Sequence, residues 1–150
     1  MIKFRKVSGK HVNPISHTAE MLKKKRISAL HIGTDSQRHQ KSIVYVTAIA
    51  YRYKNKGVHY IYNKLNHKPI KDDWPRLWLE TEYTMEVAKL LKKNFPTIKF
   101  EIDMDYNSNP NHMSNKLITA AKGWALSFGY KVNVKPNLQI ATRAANYHNK

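Results

Sequence analysis

At 150 residues the chain is long enough to bury most of its apolar surface, and the length fits a single domain. Its 27 lysines and arginines outnumber 10 aspartates and glutamates, and the formal charge of +17 favours a polyanionic partner such as nucleic acid. Cysteine is absent, which excludes a disulfide framework and thiolate zinc sites, and no apolar run approaches the roughly 18 residues of a membrane span.

The basic residues are scattered and form no strongly amphipathic basic helix, so nucleic acid is preferred over a membrane surface. Residues 1–10 lack the apolar centre of a signal peptide. The expectation is a soluble intracellular protein, without repeats or linkers, in which residues 1–29 precede a core over 30–147.

In that preface Ile2, Phe4 and Val7 suit a short edge strand, and residues 16–27 suit a short helix capped by Ser16 or Thr18. Its cationic end, Lys23, Lys24, Lys25 and Arg26, reads first as a solvated face. Residues 30–37, Leu-His-Ile-Gly-Thr-Asp-Ser-Gln, then read as a buried strand holding Asp35 at its polar tip. With Ser36, Gln37, Arg38 and His39 following, Asp35 suits a carboxylate facing a metal and a phosphate. It equally suits a turn residue bonding its own backbone.

Residues 43–53 are β-branched and aromatic and predict a largely buried strand. Asn55, Lys56 and Gly57 turn the chain into an antiparallel strand over 58–62. Asp72 or Asp73 is placed to cap a helix that runs from Trp74 and Pro75 to about Asn94, before Pro96. Glu80 shares an inward stripe with Thr84, Val87 and Leu91, a costly place for a carboxylate without a partner. Arg76, one turn earlier, is the ordinary partner.

Residues 98–105 alternate apolar Ile98, Phe100, Ile102 and Met104 with Lys99, Glu101, Asp103 and Asp105, which predicts a strand with a half-exposed polar face. Asp105 stands apart at the strand's end, before a loop over 106–112. A helix over 115–128, capped by Ser114 and ended by Gly129, a strand over 130–134, and a helix over 137–147 opened by Pro136 complete the chain. Three strands, helix, strand, helix, strand, helix imply an α/β fold: a mixed five-stranded sheet with helices on both faces.

That order, with Asp35 on the first core strand, Glu80 on the first core helix and Asp105 ending the fourth strand, resembles the ribonuclease H fold. Several phrases more narrowly resemble the YkuK-type group of ribonuclease H-like proteins: Ile32-Gly33-Thr34-Asp35-Ser36-Gln37, Arg76-Leu77 with Glu80, and Asp105-Tyr106-Asn107. Ser114-Asn115-Lys116, Gly123-Trp124, Gly129-Tyr130 and Lys135-Pro136 follow in order, so the resemblance spans nearly the whole chain.

The resemblance implies a carboxylate cluster that binds two Mg²⁺ or Mn²⁺ ions over a scissile phosphate. Asp35 would bridge the ions, with Glu80 and Asp105 completing the site. Hard oxygen ligands suit those ions, and two metals stabilise the attacking and leaving oxygens together. Such proteins commonly carry another acidic residue near the last helix, whereas residues 135–150 contain none. Asn137 and Asn146 stand where one would be offered, so Asn146 is a neutral candidate ligand and Asp103 a partial substitute.

The first expectation is thus a metal-dependent nuclease acting on RNA, an RNA–DNA hybrid or structured DNA. The second is a nucleic-acid-binding protein that keeps the fold without efficient cleavage, and the third a structural protein within a larger assembly. Ser36, Gln37, Arg38, Lys116 and Lys135 are the candidate phosphate contacts, and Tyr53, Tyr60, Tyr62 and Trp74 the candidate stacking groups. His31, inside a strand, reads as a satisfied core residue.

Overall fold

The computed structural model describes residues 3–24, 26–106, 112–134 and 139–150, with the backbone alone for 112–115. One mixed sheet, ordered β2-β1-β5-β4-β3-β6-β7, organises them. Its centre is the antiparallel set β3 (Ile27–Arg38), β4 (Ile43–Tyr53) and β5 (Val58–His67), and β6 (Phe100–Met104) and β7 (Lys131–Val134) add in parallel beyond β3. The core order is the expected one.

The sheet has seven strands rather than five. The difference is β1 (Phe4–Arg5) and β2 (His11–Val12), which pair with each other and, through Arg5 opposite Tyr62, extend the sheet past β5. Fully buried Phe4 anchors this addition to the main core. Helix α1 (Pro14–Lys23) begins earlier than expected. Its cap is Asn13, whose side chain accepts from the Ile15 and Ser16 amides, with Pro14 in the first turn. Thr18 is instead fully buried and hydrogen-bonded to the Tyr51 hydroxyl.

Helices cover both faces. On one side α1, α2 (Asp73–Asn94) and α3 (His112–Ser127) meet Leu30, Ile32, Ile49, Phe100 and Ile102 in the larger apolar core. On the other, α4 (Ala141–His148) lies across β3, β4 and β5 and buries Ala141 and Ala145 against Val46, Ala48 and Ala50. A strand covered on both faces needs no polar face, which is why Ile43 to Tyr51 of β4 are all buried.

Two expectations change. The alternating strand over 98–105 forms only as Phe100–Met104; Lys99 is exposed and Glu101 half-buried, as its polar face predicts, but Asp103 meets the start of α4 and is 1% exposed. The last helix begins at Ala141 rather than near Asn137, a residue that lies outside the described ones.

Candidate active site

Asp35 sits near the end of β3 on the face that α4 covers. The close approach depends on Gly33: a Cβ there would stand 2.8 Å from Thr142 Cγ2 and 3.0 Å from the Asp103 carbonyl oxygen. With α4 so near, Asp35 Oδ2 accepts amide hydrogens from Asn146 (2.7 Å) and Asn149 (2.8 Å). Asp35 is therefore tied to the far end of the chain as well as to the backbone of its neighbour Ser36. Burial raises its pKa, the two amides counter the shift, and the charge of Asp105 adds to it.

Glu80 comes from the opposite face. Thr34 on β3 bonds Thr47 on β4 (2.9 Å) and Thr84 on α2 (2.7 Å), a buried hydroxyl chain that fixes α2 one turn beyond Glu80. Tyr45 donates to the Arg76 carbonyl at 2.7 Å and holds the start of the helix. The Ser36 hydroxyl donates to Glu80, and Arg76 Nη1 donates to Ser36 Oγ at 3.0 Å. Arg76 thus reaches Glu80 through Ser36, while its direct ion pair is with Asp73 at 3.6 Å.

Glu80 is 4% exposed, and burial, first of all, pushes its pKa up to about 8. The charge of Asp35 adds to this, Ser36 and Arg76 oppose it, and Asp105 raises it further. Asp105 follows β6 directly, and its neighbour Tyr106 donates to the Leu77 carbonyl at 2.9 Å and bonds the Thr81 hydroxyl. The chain after β6 is thereby fastened to α2 beside Glu80, and Glu80 and Asp105 line one narrow crevice.

A profile for the family described as Ribonuclease H-like matches residues 11–150, nearly the full sequence. The chain belongs to the ribonuclease H-like family. No curated protein and no solved structure gives a match. The mixed sheet with helices on both faces agrees with that fold, the strands β1 and β2 being additional to the expected five.

Within this ribonuclease H-like chain Asp103 has a different task from the one expected. Its Oδ2 accepts from the Ile140 (2.9 Å) and Ala141 (2.8 Å) amides at the start of α4, and its Oδ1 accepts from His31 (3.0 Å) and Asn133 (2.9 Å). Burial works against its charge, but these donors outweigh it and hold Asp103 below the usual aspartate range. It is saturated and turned to the helix, and is therefore not a substitute ligand. His31, 2% exposed, is a partnered core residue as expected.

Several of the expected nucleic-acid contacts also have partners within the fold. Ser36 is held by Glu80 and Arg76, and Arg38 pairs with Asp73 at 2.6 Å. Tyr62 stacks on His148, and Trp74 on Trp78, which in turn stacks on Trp124. Gln37 and Lys116 are exposed, and Lys135 lies outside the described residues.

In kind, the donors suit a hard divalent cation: three carboxylates from separate parts of the fold, two of them desolvated, with the charge of Asp105 raising the pKa of both Asp35 and Glu80. Asn149 adds a further oxygen. It is fully buried, and its Oδ1 has no hydrogen-bond partner among the described residues. The sequence reading missed this residue, although it lies three positions after Asn146 on the same helix end. In arrangement the donors fall short of a closed cage, since no group of three His, Asp or Glu among the described residues is placed to hold a metal.

Proposed function

We propose that this protein hydrolyses phosphodiester bonds in RNA, an RNA–DNA hybrid or structured DNA, with Mg²⁺ or Mn²⁺ held by Asp35, Glu80 and Asp105. What supports this reading is that three of the chain's ten acidic residues, 70 positions apart from first to last, stand near enough for the charges of Asp35 and Asp105 to act on Glu80, in a protein of charge +17. Such a charge attracts a polyanion everywhere, whereas carboxylates repel it, so a buried carboxylate group on this surface suits a bound cation. A divalent ion supplies charge neutralisation at the phosphate and a more acidic water.

The chain's own residues set the terms of binding. Asp35 keeps its place through Asn146 and Asn149, and Glu80 must release its proton to become an anionic ligand. The two amides bring oxygen without charge, so a second ion is held less tightly than the first. That same feature favours a second reading, a ribonuclease H-like protein that binds nucleic acid without cutting it. Both amides present N–H to Asp35 and occupy the oxygen that an ion would take.

The test is cleavage of labelled RNA, hybrid, single-stranded DNA and duplex DNA with Mg²⁺ or Mn²⁺, alongside calorimetric titration of the ion. Native cleavage that falls to background in Asp35→Asn, with ion binding lost in parallel, supports the nuclease. Asn146→Asp should then tighten Mn²⁺ about tenfold, a size typical of changes around a metal site. Nucleic-acid binding without cutting, unchanged by Asp35→Asn, supports the second reading.

A further inference from the structure

A second surface is built beside α4 and away from the carboxylates. A groove of about 630 Å³ runs between the β4–β5 hairpin and the outer flank of α4. Arg52, Lys54 and Lys56 come from the hairpin and Arg143 from the helix. All four are exposed, and none forms an ion pair among the described residues. Among the described residues no acidic side chain lines the groove.

Its walls are aromatic and apolar as well as basic. Tyr53, Tyr60 and Tyr147 line it with Ile140 and Val58. Tyr60 is held in place, its hydroxyl bonded to His148 Nε2 at 2.8 Å. Tyr147 is different: it is 74% exposed, the most exposed large apolar side chain described. An aromatic ring left in water, next to unpaired cations in a groove, has the chemistry of a stacking platform beside a phosphate track.

Position links the groove to the candidate active site. Tyr147, which lines the groove, directly follows Asn146, the residue that bonds Asp35 at the C-terminal end of α4. The groove's other end, at Arg52, is six positions along β4 from Val46, the partner of Asp35, or about 20 Å at the rise of a strand. Paired bases would keep their faces stacked on one another and out of reach of Tyr147, whereas an unpaired strand can offer both face and phosphate.

We infer that this groove binds single-stranded nucleic acid, with Tyr147 stacking on a base while Arg52, Lys54, Lys56 and Arg143 follow the backbone. The inference rests on the nucleic-acid partner of the proposed function and adds the strand state and the path of approach.

Anisotropy of labelled single-stranded RNA and DNA of about 10 nucleotides, a length within the usual site size, tests it against a duplex of the same sequence. Tyr147→Ala should weaken single-strand binding about tenfold while duplex affinity and melting temperature stay as in the native chain. Tyr147→Phe should bind like the native chain, because stacking needs the ring and not the hydroxyl. Arg143→Ala should reduce the steepness of the salt dependence by about 0.7, the share of one phosphate on a single strand.

If Tyr147→Ala and Arg143→Ala both bind single strands as the native chain does, the groove is not the binding surface. The inference then falls, while native cleavage or binding leaves the proposed function standing. If the native chain neither binds nor cuts any nucleic acid at low salt, both fall together.

Discussion

Glu80 shows what a single buried carboxyl costs and what it offers. The folded chain keeps a proton on Glu80 up to about pH 8, whereas the unfolded chain releases it near the ordinary value of 4.5. A group raised in this way contributes its stability fully below the unfolded value and loses it as pH climbs to the folded one. Stability should therefore decline between about pH 5 and pH 8, by about 4 kcal/mol at most from this residue. Glu80→Gln keeps the Ser36 contact and cannot ionise. Thermal melts across that range should fall less steeply for the variant, with the larger gain over the native chain at the alkaline end. A native profile as flat as that of the variant would mean that Glu80 already carries its charge at neutral pH.

At the scale of elements, α4 is the part that the rest of the chain must put in place. Its start is capped by Asp103, which lies some 37 positions earlier on β6, and its end supplies the two amides on Asp35. Asparagine at 103 would turn an NH₂ either toward the helix amides or toward His31 and Asn133, setting donor against donor in a buried site. Asp103→Asn should cost about 2 kcal/mol, or about 4–8 °C in melting temperature, and speed amide exchange in α4. Because the folded value of Asp103 is lowered, its contribution is present above about pH 4 and lost as pH falls further, so the variant should also flatten the acid limb.

The same helix marks how far the sequence could be read. Asp35, Glu80 and Asp105 stand out in the sequence because each breaks or ends an apolar pattern: the close of a buried run, an inward helix stripe, the end of an alternating run. The task of Asp103 was not, since a cap supplied from another strand leaves no local signature at the helix it starts. Asn149 was hidden for a related reason, being a neutral residue just past the last turn of a short helix. Strand β1 falls where Phe4 suggested a short edge strand, whereas β2 has only two residues, too few to show an alternation of period two.

For the whole molecule the governing quantity is charge. Ion pairs among the described residues involve few of the 27 cationic side chains, so most of the positive field faces solvent. Each phosphate neutralised on a single strand contributes about 0.7 to the slope of log affinity against log salt. If the four cations of the α4 groove and about two more from the remaining surface engage, the slope should be near −4, and a fourfold rise in salt should weaken binding by about 300-fold. The measurement is a set of binding isotherms from about 50 to 200 mM salt, repeated with Arg143→Ala. A slope near zero would show that the field steers nothing onto the protein, and the charge would then need a different partner to explain it. A steep slope that Arg143→Ala leaves untouched would keep nucleic acid as the partner and move its path elsewhere on the surface.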